Sequence, residues 1–251
     1  MTDLDRETRV LGAVVSLVDT LLDDFDVVEL LTELTERCAA LLDVASAGLL
    51  LADPRGHLHL LAATSEKTHD LELFQLQSDQ GPCLESYTSG QPVSVADLSA
   101  DGGRWPRFTA AAIDVGFASV HAVPMRAAGN VLGALGLFGT ETGDLSAADQ
   151  LLAQTLAHVA CVAILQDHAL TPDSLHLRLR AALASRVVVE QAKGFLRERL
   201  GVSVEDAFTL LRRYAHASDE HMTVVSKELL SEPTRRATIL TGMQQLANSA
   251  R

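Results

Sequence analysis

The chain opens with apolar residues spaced for a helix. Val10, Val14, Leu17, Val18, Leu21 and Leu22 fall on one stripe, with polar residues between them. Asp26 stands where an N-cap belongs, ahead of a second helical stretch that holds Leu30, Leu31, Leu34 and Leu41. The texture then changes. Ala47 to Ala52 is apolar, Asp53-Pro54-Arg55-Gly56 has turn chemistry, and His57 to Leu61 resumes, which predicts a hairpin. Ser65 to Gln77 fits either a helix or an irregular segment. Gly81-Pro82 opens a short helix that Gly90 ends, Gln91 to Val95 reads as a brief strand, and Phe108 to Val115 as a helix stopped by Gly116. Phe117 to Met125 and Val131 to Phe138 are apolar strands joined across Gly129-Asn130, and Ser146 caps a long helix.

After Pro172-Asp173 the pattern is helical only. Leu175, Leu179, Ala182, Val189 and Leu196 lie near one seam of a helix that Gly201 stops. Ser203 and Asp206 form a capping-box-like start for a second helix with Ala207, Phe208, Leu210, Leu211 and Ala215. A third begins near Thr223, holds Val224, Val225 and Leu229, and is halted by Pro233. The expected organisation is an α+β domain on an antiparallel sheet over 1–170, an all-α three-helix bundle over 171–235, and a tail, 236–251, that is either disordered or a terminal helix.

Charge sharpens this division. Residues 1–177 carry 8 Lys and Arg against 25 Asp and Glu, a net of −17, whereas residues 178–251 carry 12 against 8, a net of +4. An acidic body repels nucleic acid and a basic tail attracts it through phosphate contacts. Cys38, Cys83 and Cys161 are far apart, and the acidic start has no basic segment of the kind that opens a secretory signal, so reduced thiols in the cytoplasm are expected. The longest apolar run, Leu151 to Leu165, is short for a membrane span and contains Gln154 and His158. No metal-ligand spacing, phosphate-cradling glycine loop or nucleophile elbow occurs, so neither a metal nor a catalytic residue is expected.

Two families resemble these halves. Gly81-Pro82-Cys83-Leu84-Glu85, Gly90-Gln91-Pro92-Val93, Arg104-Trp105-Pro106, Gly116-Phe117-Ala118-Ser119-Val120 and Gly129-Asn130-Val131-Leu132-Gly133 are similar to the GAF domain. Ala184 to Leu196, centred on Ala192-Lys193-Gly194, and Ser203 to Ala215 resemble the ANTAR domain. The first resemblance implies an antiparallel sheet with a pocket for a small ligand, or a dimerisation module. The Asn-Lys-x-Phe-Asp-Glu signature of cyclic-nucleotide binders and the Cys-His pair of bilin binders are missing, so the ligand and any cofactor are left open. The second implies an RNA-binding bundle that recognises paired stem-loops in leader RNA and controls transcription termination.

Candidate residues follow. Arg186, Lys193 and Arg197 are spaced to share one face of the first tail helix, with Glu190 between them, and Arg212 and Arg213 flank Tyr214, whose ring suits base stacking. Gly194 costs about 1 kcal/mol relative to alanine in a helix, which predicts close approach of another helix there. Cys83, Trp105, Phe108, Phe117 and His121 are candidates for a ligand pocket, and each also suits an ordinary core. At a helix start Cys83 is a candidate redox thiol, against the commoner role of a small buried side chain. The expected function is that of a cytoplasmic, non-enzymatic antitermination regulator. It would dimerise through the first helix and the helix after Ser146. The alternatives are a DNA-binding transcription factor with the same sensor, and a thiol redox protein using Cys83. The third tail helix offers a DNA groove only one basic residue, Lys227.

Overall fold

The computed structural model of the chain describes residues 3–42, 44–100, 103–127, 129–165 and 172–248. Two compact units emerge: one of residues 1–24 and 30–180, the other of residues 25–29 and 181–251.

The first unit is an α+β domain. Helices α1 (Asp3–Leu22) and α2 (Val27–Leu41) precede the hairpin β1 (Ser46–Ala52) and β2 (Leu58–Ala63). Then come α3 (Glu66–Ser78), α4 (Pro82–Ser89), β3 (Val93–Val95), α5 (Pro106–Asp114), the hairpin β4 (Ser119–Ala127) and β5 (Asn130–Gly139), and α6 (Ala147–Leu165). The sheet is antiparallel throughout, in the order β2-β1-β5-β4-β3. Its alternation gives two buried faces. Leu50, Ala52, Val120, Ala122, Ala134 and Phe138 point to the side covered by α3, α4 and α5. α6 packs on β4 through a face that buries Leu152, Ala153, Leu156, Ala157 and Ala160, and Gln154 donates to the carbonyl of Pro124 at 3.0 Å. That helix is long and apolar enough to cross a membrane by length and composition, but it is a core helix of this domain. α1 lies on α6 and buries Leu17 and Leu21.

The segment that fitted either helix or irregular structure is the helix α3. Ser65 caps it by accepting from the Thr68 amide at 3.2 Å. Its inward face carries Thr68, Leu71, Glu72 and Gln75, three of them polar, and this hides the apolar stripe by which a buried helix is usually recognised.

The second unit is helical. α7 (Pro172–Leu200) enters it from the first, followed by α8 (Val204–Ser218), α9 (Met222–Ser231) and α10 (Pro233–Asn248). Gly201 ends α7 at φ +67°, and Ser203 accepts from the Asp206 amide at 3.0 Å to start α8. Val189, Ala192 and Leu196 of α7, Ala207, Leu211 and Ala215 of α8, and Val225 and Leu229 of α9 share one core with Ile239 and Met243 of α10. Through Asn248 the tail segment is therefore a fourth helix of this unit. Asp26 caps twice: Oδ1 accepts from the Val28 amide at 2.9 Å, and Oδ2 accepts from the Thr223 amide of α9 at 2.6 Å. α9 has no side-chain cap of its own, so this carboxylate replaces one.

Candidate nucleic-acid interface and sensor core

The six basic and aromatic candidates all lie in the second unit, and intramolecular partners engage most of them. Arg186 is almost fully buried and pairs with Glu190, which lies one turn further along α7. Burial pulls the Arg186 guanidinium below its usual range, and Glu190 pushes it back up. Lys193 pairs with the same carboxylate at 2.9 Å and lies 5.5 Å from the centroid of the Phe208 ring. One carboxylate thus serves two cations, and the cluster keeps a net positive charge. Arg197 is exposed at the last turn of α7.

On α8, Arg212 donates to Glu29 at 3.0 Å, and His216 Nε2 lies 2.6 Å from the same oxygen. Arg213 is exposed and donates to the carbonyl of Leu246 in α10 at 3.4 Å. The Tyr214 ring packs on the backbone of Gly242, where a β-carbon would lie 2.5 Å from Cε2. Sequence reasoning missed Glu29, which is far from these residues along the chain, and left α10 open between a disordered tail and a terminal helix.

Gly194 corrects one expectation. It is exposed, and among the described residues no atom of another helix lies within 4 Å of a β-carbon built on it. Helix packing therefore does not account for this glycine.

In the first unit, four of the five pocket candidates converge. Cys83, Trp105, Phe108 and Phe117 belong to the core between the sheet and α3–α5. Trp105 meets Phe108 edge-on at 6.1 Å, and Phe117 lies 5.2 Å from Phe138. His121 does not join them. Its neighbours Val120 and Ala122 point to that core, so the imidazole points to the other face. There Nδ1 lies 2.7 Å from Ser94 Oγ, which in turn donates to Asp144 at 2.8 Å. Burial lowers the His121 pKa, and Asp144 opposes the shift.

The pocket core holds a carboxyl group that the sequence did not flag. Glu72 is completely buried, accepts from the Gln75 amide, and lies 3.6 Å from Cys83 Sγ. Gly48 and Gly136 face each other on β1 and β5 and make its room: a β-carbon on them would lie 2.6 Å and 2.7 Å from Glu72 Oε1. Burial raises the Glu72 pKa to about 8, against the pull of the Cys83 and Gln75 hydrogen bonds. Burial also pushes the Cys83 thiol well above its usual range, and Glu72 pushes it further. A thiol held protonated is a poor nucleophile.

Comparison with known proteins identifies the family of each part of the chain. The family model of the GAF domain matches residues 26–165, and that of the ANTAR domain matches residues 177–230. The GAF domain of a phosphoenolpyruvate-protein phosphotransferase from Acinetobacter is 17% identical, with a TM-score of 0.50 over 73% of this chain and 98% of that one. A domain of a two-component sensor histidine kinase protein from Sinorhizobium meliloti 1021 is 17% identical, with a TM-score of 0.47 over 63% and 96%. A free methionine-R-sulfoxide reductase from Neisseria meningitidis, solved with its substrate, is 17% identical, with a TM-score of 0.45 over 70% and 91%. No curated protein matches the chain.

Proposed function

Because the chain belongs to the GAF domain family and carries an ANTAR domain, we propose that it is a cytoplasmic antitermination regulator in which the sensor governs binding of stem-loop leader RNA. The carrying observation is that the ANTAR match coincides with the basic, helical part of an otherwise acidic chain. Arg197 and Arg213 are exposed for phosphate contact and Lys193 is partly exposed beside Glu190, whereas Arg186 is buried against the same carboxylate. The sensor core, where Trp105, Phe108 and Phe117 pack in one cluster with Cys83 and the Glu72 carboxyl lies beside that thiol, is the proposed place for a small ligand.

Pairing of two stem-loops needs two bundles, each binding weakly alone, and a homodimer supplies the effective concentration. α1 supports this reading. Its inner residues Val10, Val14, Leu17 and Leu21 face the domain, whereas Leu11, Val15, Val18 and Leu22 repeat the same 4-3-4 spacing on an exposed face.

The test is a gel shift of the full chain at one stated salt concentration. The probes are a pool of tandem stem-loop RNAs and a pool of random duplex DNA. The expected result is selective retention of the RNA, weakened at least tenfold by Arg197→Ala combined with Lys193→Ala. Retention of duplex DNA instead would establish a DNA-binding regulator. The redox reading is disfavoured by the buried, protonated Cys83, and thiol labelling of the native protein tests it directly.

A further inference from the structure

α10 lies beyond the segment that the ANTAR domain matches, yet it rests on the face of α8 that carries Arg213 and Tyr214. The contact is close because residue 242 is glycine: any larger side chain would strike the Tyr214 ring. Arg213 is tied down at the same place, by the carbonyl of Leu246. α10 is anchored in the core by Ile239 and Met243 with Leu240 packed against them, and Arg236 donates to the carbonyls of Leu229 and Leu230 and lies 5.4 Å from the centroid of the Phe195 ring. At its start, Arg235 bridges Glu220 at 2.6 Å and Glu228 at 2.7 Å. The join to α9 is a single extended residue, Glu232, followed by Pro233.

We propose that α10 is a displaceable cover over the Tyr214 side of α8, beside the exposed Arg213, and that stem-loop RNA binds there after the helix swings away about Glu232. The inference rests on the RNA-binding reading above. It explains why the Tyr214 ring, which suits stacking on a base, is partly buried against Gly242. Partial closure of Arg212 and His216 by Glu29 acts on the same helix and leaves α10 as the larger obstacle.

Hydrogen exchange on the full chain, with and without the tandem stem-loop RNA pool, tests the movement. Saturating RNA is expected to speed exchange at residues 239–246 at least tenfold while slowing it along α8. Unchanged or slower exchange at 239–246 in the saturated complex overturns the proposal. Two release variants complete the test: Gly242→Leu, which pushes on Tyr214, and Ile239→Glu, which removes a core anchor of α10 away from Tyr214. With α10 shown by exchange to be released, both are expected to bind the RNA pool at least tenfold more tightly than wild type, and added Tyr214→Ala to erase the gain. Equal affinity of released and wild-type protein overturns the cover and leaves the RNA reading intact. No binding by any form, released variants included, removes the RNA reading and the cover with it.

Discussion

The two units bury charge in opposite ways. In the sheet domain, Glu72 is enclosed with a thiol and an amide as its described partners, both neutral, and it escapes the cost of a buried charge by keeping its proton. In the helical unit, Arg186 stays cationic at nearly the same depth because Glu190 lies one turn away. The difference teaches where each unit is sensitive. The sensor core responds to proton concentration, whereas the bundle responds to loss of a partner.

Removing that partner is the strongest way to break the comparison. Glu190→Ala leaves Arg186 buried without its carboxylate and frees Lys193 at the same stroke. The expected loss is about 3 kcal/mol, the lower end for breaking a buried pair because Glu190 is itself partly exposed. Urea unfolding monitored on the helical unit measures it. A loss below about 1 kcal/mol would mean that the pair acts as an ordinary surface bridge.

The sensor half of the comparison is sharpened by pH. The unfolded chain releases the Glu72 proton near about 4.3, and the folded domain holds it up to about 8. Between these values the folded state binds more protons, so stability is fully present below the lower value and is lost as pH rises towards the upper one. The slope from this group is at most about 1.4 kcal/mol per pH unit. The thermal midpoint should fall between pH 5 and pH 8 in the wild type, and Glu72→Gln should flatten the fall. An equal slope in both proteins would assign the pH dependence to other groups.

Much of the fold was legible because local signals agreed. Asp26, Ser146 and Ser203 each cap the expected helix, and the Gly129-Asn130 turn joins β4 to β5. The sites were less legible, since they depend on contacts distant in sequence. Glu72 meets Gly48 and Gly136 from two strands, His121 pairs with Ser94 across β3 and β4, and Tyr214 meets Gly242. Phe117 precedes β4 and reaches the core from outside the strand, whereas alternation within β4 turns His121 away from the core-facing Val120 and Ala122, so a list of aromatic and histidine residues merged two environments into one pocket.

The smallest expected effect has the opposite sign. Gly194 has open space where a β-carbon would go, so Gly194→Ala adds helix propensity and meets no neighbour. It should stabilise the helical unit by up to about 1 kcal/mol, read as a rise in its urea midpoint. The useful result lies in combining this with the RNA gel shift. A helix-stabilising change that leaves RNA retention intact makes the glycine incidental to binding. The same change with weaker retention marks the bare backbone beside Lys193 as a place where RNA approaches closely, because a methyl group that strengthens the helix has no other route to a loss of affinity.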